Sequence, residues 1–251
     1  MKATAFEFRV RFWILLAIYV LGFVAPWDYA LHLDGAGPYT HVWGRLAIDL
    51  SRAGMNISAA FNLVLAAGIA CALAGAMLRT WGSAYLGPEV MRNQSLLGDG
   101  VVAAGPYRHV RNPLYLGSWL NTLALALLMP PSGAIFTLTL VVVFQLRLIL
   151  AEEAFLTLKL GDAYTAYCAR VPRLLPALRP QALVSAPAAT QAARPRWPQA
   201  ALAEIFLWGV ALSFAVLGWR YDAHLLVQCV LVSLGVALVT RGLTVPPEAA
   251  A

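Results

Sequence analysis

The sequence predicts an all-α integral membrane protein of about six transmembrane helices, with a central helical hairpin, polar segments on the cytoplasmic side and no Rossmann domain. Three observations carry this expectation. Of the 251 residues 61% are hydrophobic and 12% charged, where soluble domains hold about 45–50% and about 25%. Apolar runs close to the spanning length of about 17–25 residues recur at 12–27, 57–78, 114–130, 133–151, 201–218 and 224–240. The basic residues, finally, fall unevenly on the segments between those runs.

With the N-terminus inside, fourteen Lys and Arg residues lie on cytoplasmic segments, from Lys2, Arg9 and Arg11 to Arg241. The opposite side keeps only Arg45, Arg52 and Arg220, and Arg147 lies near a helix end. That asymmetry follows the positive-inside rule and places both termini in the cytoplasm. The net charge of +6 is then a topology signal favouring anionic lipid at the cytoplasmic face, and no nucleic-acid partner is expected.

In chain order, run 12–27 reads as a retained helix, because no small-residue cleavage site follows Trp27. Residues 1–56 form an N-terminal unit of that helix and an extracytoplasmic loop, 28–56. His32, Asp34 and His41 in the loop lack constrained ligand spacing, so no metal is expected. Gly37–Val42 reads GPYTHV and echoes GPYRHV at Gly105–Val110, but without the Arg-Asn-Pro that follows the second copy; chance similarity of two Gly-Pro turns explains it. Cys71, Cys168 and Cys229 are scattered and form no CxxC pair.

Residues 57–176 read as the core. Runs 114–130 and 133–151 are joined by Pro130-Pro131-Ser132, a link short enough to demand an antiparallel hairpin. The hairpin brings segment 79–113 and segment 152–176 to one place, and both are polar. Residues 177–199, rich in Ala, Pro, Gln and Arg, read as a flexible cytoplasmic linker. Residues 200–251 add a two-helix hairpin.

The most informative stretch is GPYRHVRNPLYLG, Gly105–Gly117. Pro113 stands where a helix can begin without its missing N–H. The residues before it then face free backbone N–H groups and a positive dipole, which suit an anion. Arg108 and Arg111 add full charges, Tyr115 and Leu116 occupy the first turn, and Gly117 admits another backbone or a flat ring. Such a set can hold a carboxylate beside an aromatic base, or it can form an interfacial basic–aromatic belt.

Glu152-Glu153 ends the next apolar run. Ionisable groups at membrane depth are functional candidates, and neighbours on a helix point about 100° apart, so one of the two faces the site. Gln145, Ile149 and Glu152 share a helix face. Arg147 reads as snorkelling to the interface. Beyond the acids, Tyr164 and Tyr167 share one side of a short helix ending before Pro172, which could close over a ligand or lie on the headgroups.

GPYRHVRNPLYLG, the Glu pair and G-x-x-Y-x-x-Y-x-x-R-V-P-R-x-x-P together resemble the isoprenylcysteine carboxyl methyltransferase and phospholipid methyltransferase superfamily, over roughly 75–176 including the stretch Leu96–Ala104. The resemblance implies S-adenosyl-L-methionine bound at the cytoplasmic ends of the hairpin. It assigns Tyr107, His109, Arg111, Asn112, Pro113 and Tyr115 to the cofactor motif, with Gly105 and Leu116 in the same stretch. Glu152 and Glu153 match the family's acidic pair, suited to an ammonium or ribose hydroxyls, and Tyr164 lies on the closing helix. Many members carry His at the position of Asn112, and Asn cannot carry a proton.

The motif region shows no strong general base, since His109 goes to the cofactor motif. A carboxylate acceptor needs no base, whereas an ammonium must first lose a proton. Arg170 and Arg173 could hold a substrate carboxylate by paired hydrogen bonds. The expectation is carboxyl O-methylation of a prenyl- or isoprenoid-type membrane acceptor. The alternatives are N-methylation of a phospholipid amine, an NADPH-dependent membrane reductase and a non-catalytic membrane scaffold.

Overall fold

The computed structural model describes residues 2–24, 41–86, 104–181 and 195–244, and among them every regular element is helical. The Gly-Pro turn at 37–40, His32, Asp34, the stretch 96–103 and most of the linker, 182–194, lie outside the described residues.

The N-terminus forms a short helix α1 (Ala5–Arg9) and an apolar helix α2 (Arg11–Val24). A capping box starts α1: Thr4 Oγ1 accepts from the Glu7 backbone N–H at 3.2 Å, and Glu7 Oε2 accepts from the Thr4 N–H at 2.6 Å. Arg147 Nη2 donates to both Glu7 oxygens at 2.9 Å, and its carbonyl accepts from Ala3 N–H at 3.1 Å. Arg147, read from sequence as snorkelling, thus ties the N-terminus to a distant helix.

The loop expected at 28–56 contains an amphipathic helix, α3 (Val42–Arg52), which buries Trp43 and Ala47. The Trp43–Ala47–Leu50 spacing was the available signal. The helix forms there because its first N–H groups have acceptors: Val42 and Trp43 donate to the carbonyls of Met129 and Leu127, each at 2.9 Å. Two helix ends with orphan backbone groups satisfy one another.

Helix α4 (Ile57–Leu86) starts at Asn56, whose Oδ1 accepts from Ser58 N–H at 3.0 Å and Ala59 N–H at 3.3 Å. It packs chiefly on α5 (Pro113–Ala126), at a point where glycine is required on both sides. A Cβ on Gly75 would stand 2.7 Å from the Gly117 carbonyl oxygen, and one on Gly117 2.9 Å from that of Gly75. Gly117 therefore admits a backbone, one of the two approaches its sequence position allowed. Helix α6 (Pro131–Leu160) lies mainly against α2, where Gly22 abuts Gly133 and Thr137. Small residues at helix crossings are how apolar helices approach closely.

After Gly161, with φ +55°, the chain enters α7 (Asp162–Arg170). The C-terminal part consists of α8 (Trp197–Ala203), α9 (Ile205–Leu217) and α10 (Ala223–Thr244). The core gathers Trp43 of α3, Leu65 and Ala72 of α4, Leu125 of α5, Val210 and Phe214 of α9, and Leu226 of α10.

Three described helices, α4, α6 and α10, are long and apolar enough to cross a membrane, and the bent pair α8–α9 makes a fourth if counted as one span. Run 12–27 yields the shorter apolar helix α2. Run 114–130 gives only the 14 residues of α5, about 21 Å of helix, because its last residues turn to meet α3. Run 201–218 is not continuous: α8 and the helix after it are bent by 71° at Glu204.

Candidate active site

Segment 172–181 lies along the segment that precedes α5, as a strap stitched by backbone hydrogen bonds. Arg111 N–H donates to Pro172 O at 2.9 Å, Ala177 N–H to His109 O at 2.9 Å and Gln181 N–H to Arg108 O at 3.0 Å. Side chains repeat the pattern: His109 Nδ1 meets Ala177 O at 2.8 Å, Arg108 Nε donates to Gln181 O at 3.2 Å, and Asn112 Nδ2 donates to Arg173 O at 3.2 Å. The first residues of the expected flexible linker, 177–181, are thus part of this construction.

Glu153 is the centre of the strap. Its carboxylate accepts from Arg111 Nη1 at 3.0 Å, and from Arg173 Nε and Nη2 at 3.0 and 2.7 Å. Arg111 also donates through Nε to Val171 O at 2.7 Å. The two arginines, one before α5 and one after α7, meet on a buried acid. Arg173 bonds bidentately, the geometry that makes arginine–carboxylate pairs strong. Its hydrogen bonds to Glu153 hold the Arg173 guanidinium above its ordinary value.

Glu152 points elsewhere, as the helical offset requires. Tyr115 donates its hydroxyl to Glu152 Oε1 at 2.7 Å, and the second oxygen retains acceptor capacity. Tyr107, in the 3₁₀ turn Gly105–Arg108, sends its side chain inward, and its hydroxyl is buried without a hydrogen-bond partner. Burial, with smaller contributions from Tyr167 and Glu152, pushes that hydroxyl far above the usual tyrosine range. It is a neutral donor at every physiological pH. Tyr167 donates to the Tyr107 carbonyl at 2.8 Å, and Tyr164 and Tyr167 are both buried, their rings 5.9 Å apart.

The remaining expected residues fall around this wall. Gly105 has φ +54°, and a Cβ there would meet the Tyr85 ring at 2.5 Å, so glycine is needed for conformation and space alike. Pro113 is the first residue of α5, and Asn112 is buried just before it. Leu116 is half-buried in the first turn and bonds back to the Asn112 carbonyl at 3.1 Å. The His109 ring stands 5.9 Å from that of Trp81. Arg170 is exposed at the end of α7, whereas Arg173 is engaged by Glu153.

Two residues of this region escaped sequence reading as site components. Arg79 counted only as a cytoplasmic charge and Glu204 only as part of an apolar run. In the structure Arg79 Nε and Nη2 donate to Glu204 at 2.6 and 3.0 Å. A lone acid within a spanning run was the signal that could have found the pair.

Residues 63–163 match the family model described as phospholipid methyltransferase. The matched stretch contains both Gly105–Gly117 and Glu152-Glu153. No curated protein and no solved structure matches the chain.

Proposed function

We propose that this protein transfers a methyl group from S-adenosylmethionine to the polar end of a lipid-like membrane acceptor, at the strapped end of the helical pack. The observation that supports this best is the unfinished hydrogen bonding in an otherwise tied wall. Tyr107 keeps a buried hydroxyl without a hydrogen-bond partner, and Tyr115 donates to Glu152, inside the segment that carries the family pattern. Buried polar groups without partners are costly, and a ligand with both donors and acceptors would relieve them.

The chemistry of the residues fits such a cofactor. Glu152 would accept from its ammonium or ribose hydroxyls, and Tyr107 would donate to its carboxylate. Glu153 acts indirectly, by holding Arg111 and Arg173 so that the strap covers the site. S-adenosylmethionine, when bound, supplies an electrophilic methyl group on a sulfonium. The contribution of this chain is positioning and exclusion of water, and alignment of two reactants can lower a barrier by roughly 7–11 kcal/mol.

Carboxyl O-methylation of a prenyl- or isoprenoid-type acceptor is the first reading, because a carboxylate needs no base to be methylated, and His109 is held in the strap through Nδ1 and Ala177 O. N-methylation of a phospholipid amine is the second. It is favoured by the engagement of Arg173 with Glu153, which takes up one of the two arginines expected to meet a carboxylate.

Purified protein is expected to bind S-adenosylmethionine in calorimetric titration, and the double variant Glu152→Gln, Glu153→Gln to lose that binding. Unchanged affinity in the double variant would remove the acids from the site. A parallel titration with NADPH tests the reductase alternative. Transfer of labelled methyl into a total membrane extract then separates the acceptors, since base releases the label from an ester and not from an amine. Absence of any labelled lipid would return the chain to a non-catalytic scaffold.

A further inference from the structure

Glu204 lies far outside the matched segment, at the break between α8 and α9, and is only 1% exposed. Its carboxylate has three donors: Arg79 Nε at 2.6 Å, Arg79 Nη2 at 3.0 Å and Ser83 Oγ at 2.6 Å. Arg79 has one nitrogen left, and Nη1 donates to Ser118 Oγ at 2.7 Å and to the Leu114 carbonyl at 3.3 Å. Leu114 and Ser118 bracket Tyr115 in the first turn of α5. The stem of Arg79 is also pressed to that turn, where a Cβ on Gly117 would come within 2.6 Å of Arg79 Cγ.

We infer that Glu204 is a positioning residue for the site proposed above: it aims Arg79, and Arg79 fixes the turn of α5 that presents Tyr115 to Glu152. The inference rests on that reading of function. Its physical basis is the forked geometry of a guanidinium, whose donors leave in fixed directions. With Nε and Nη2 held by one carboxylate, Nη1 has a single direction available, toward α5. Without Glu204 the guanidinium loses that constraint and is free to rotate away from α5. The C-terminal helices thereby reach the site through one side chain. A second tie between the same parts, Trp208 Nε1 to Thr80 Oγ1 at 2.9 Å, runs from α9 to α4 and serves as its control.

The test uses the full chain in detergent, with two readouts on the variants Glu204→Gln, Ser118→Ala and Trp208→Phe. Hydrogen exchange across 111–118 is read without ligand, and S-adenosylmethionine affinity by titration. Glu204→Gln is expected to speed exchange in that segment severalfold and weaken binding about tenfold, a coupling of ordinary size between linked sites. Trp208→Phe is expected to change neither. Adding Ser118→Ala to Glu204→Gln should cause little further loss, because both break one chain of contacts. The idea fails if exchange and affinity stay at wild-type values, if Trp208→Phe matches Glu204→Gln, or if the Ser118 and Glu204 effects simply add. Should Glu204→Gln not fold, Ser118→Ala alone decides by the same two readouts. Wild-type protein that does not bind S-adenosylmethionine sinks the proposed function, and the exchange result still decides the role of Glu204.

Discussion

Glu153 and Glu204 each hold arginine with a fully used carboxylate, yet they stand in different surroundings. Glu153 gathers Arg111 and Arg173, whose side chains are 15% and 44% exposed, at the mouth of the strap. Glu204 holds Arg79 between helices, with the acid 1% and the arginine side chain 23% exposed. The first arrangement orders a peripheral segment and, through Arg173, meets water. The second joins three helices and is shielded from it. Similar chemistry thus gives two roles, set by how much solvent reaches the pair.

The largest effect is expected from Glu204→Ala, which leaves the part-buried Arg79 without its charge partner. Removing one member of a buried pair costs about 3–5 kcal/mol, and the loss should show as a marked fall in melting temperature in detergent. A fall no larger than that of Glu153→Gln would abolish the contrast. Glu153→Gln should cost less, about 2 kcal/mol, while removing most S-adenosylmethionine binding because the strap is freed. High salt should mimic part of this at Glu153 and leave the Glu204 pair intact, since screening acts on exposed charges.

Tyr107→Phe tests the wall between the two acids and has the opposite sign. Deleting a buried, unpartnered hydroxyl should raise stability by about 1 kcal/mol and weaken cofactor binding. A variant neither stabilised nor impaired would mean that the hydroxyl serves nothing. The smallest effect belongs to Glu7, the part-buried counterpart at the N-terminus. The Thr4 backbone N–H, then Arg147, hold its carboxyl below the ordinary 4.5. Because the folded value is the lower one, the stabilisation is fully present above 4.5 and is lost as pH falls through the folded value. Melting curves of wild type and Glu7→Gln should therefore converge in acid, and curves that stay parallel would show that Glu7 contributes through packing.

Much of the site was legible in the chain itself. Pro113 opens a helix because its ring and missing N–H suit that position, and Pro130-Pro131-Ser132 turns the chain back, so the segments flanking the hairpin share one end. What escaped was everything that depends on a distant partner. Arg173 was read as reaching for a substrate, because its bond to Glu153 spans the whole of α7. Helix α3 was read as loop, because its N-terminal acceptors, Leu127 and Met129, are remote in sequence. The break at Glu204 was invisible because hydropathy averages one acid away within an apolar run.

The sequence by itself determined that this protein is helical and apolar, where α5 starts and the central hairpin turns, and which polar residues share one end. Those properties follow from local chemistry: proline geometry, apolar run length and helical periodicity act over a few residues. Only the tertiary structure decided which acid holds which arginine, why Tyr107 is left without a partner, and that Glu204 reaches the first turn of α5. Such outcomes depend on the directions of hydrogen bonds between helices far apart in the chain, and no local pattern encodes them.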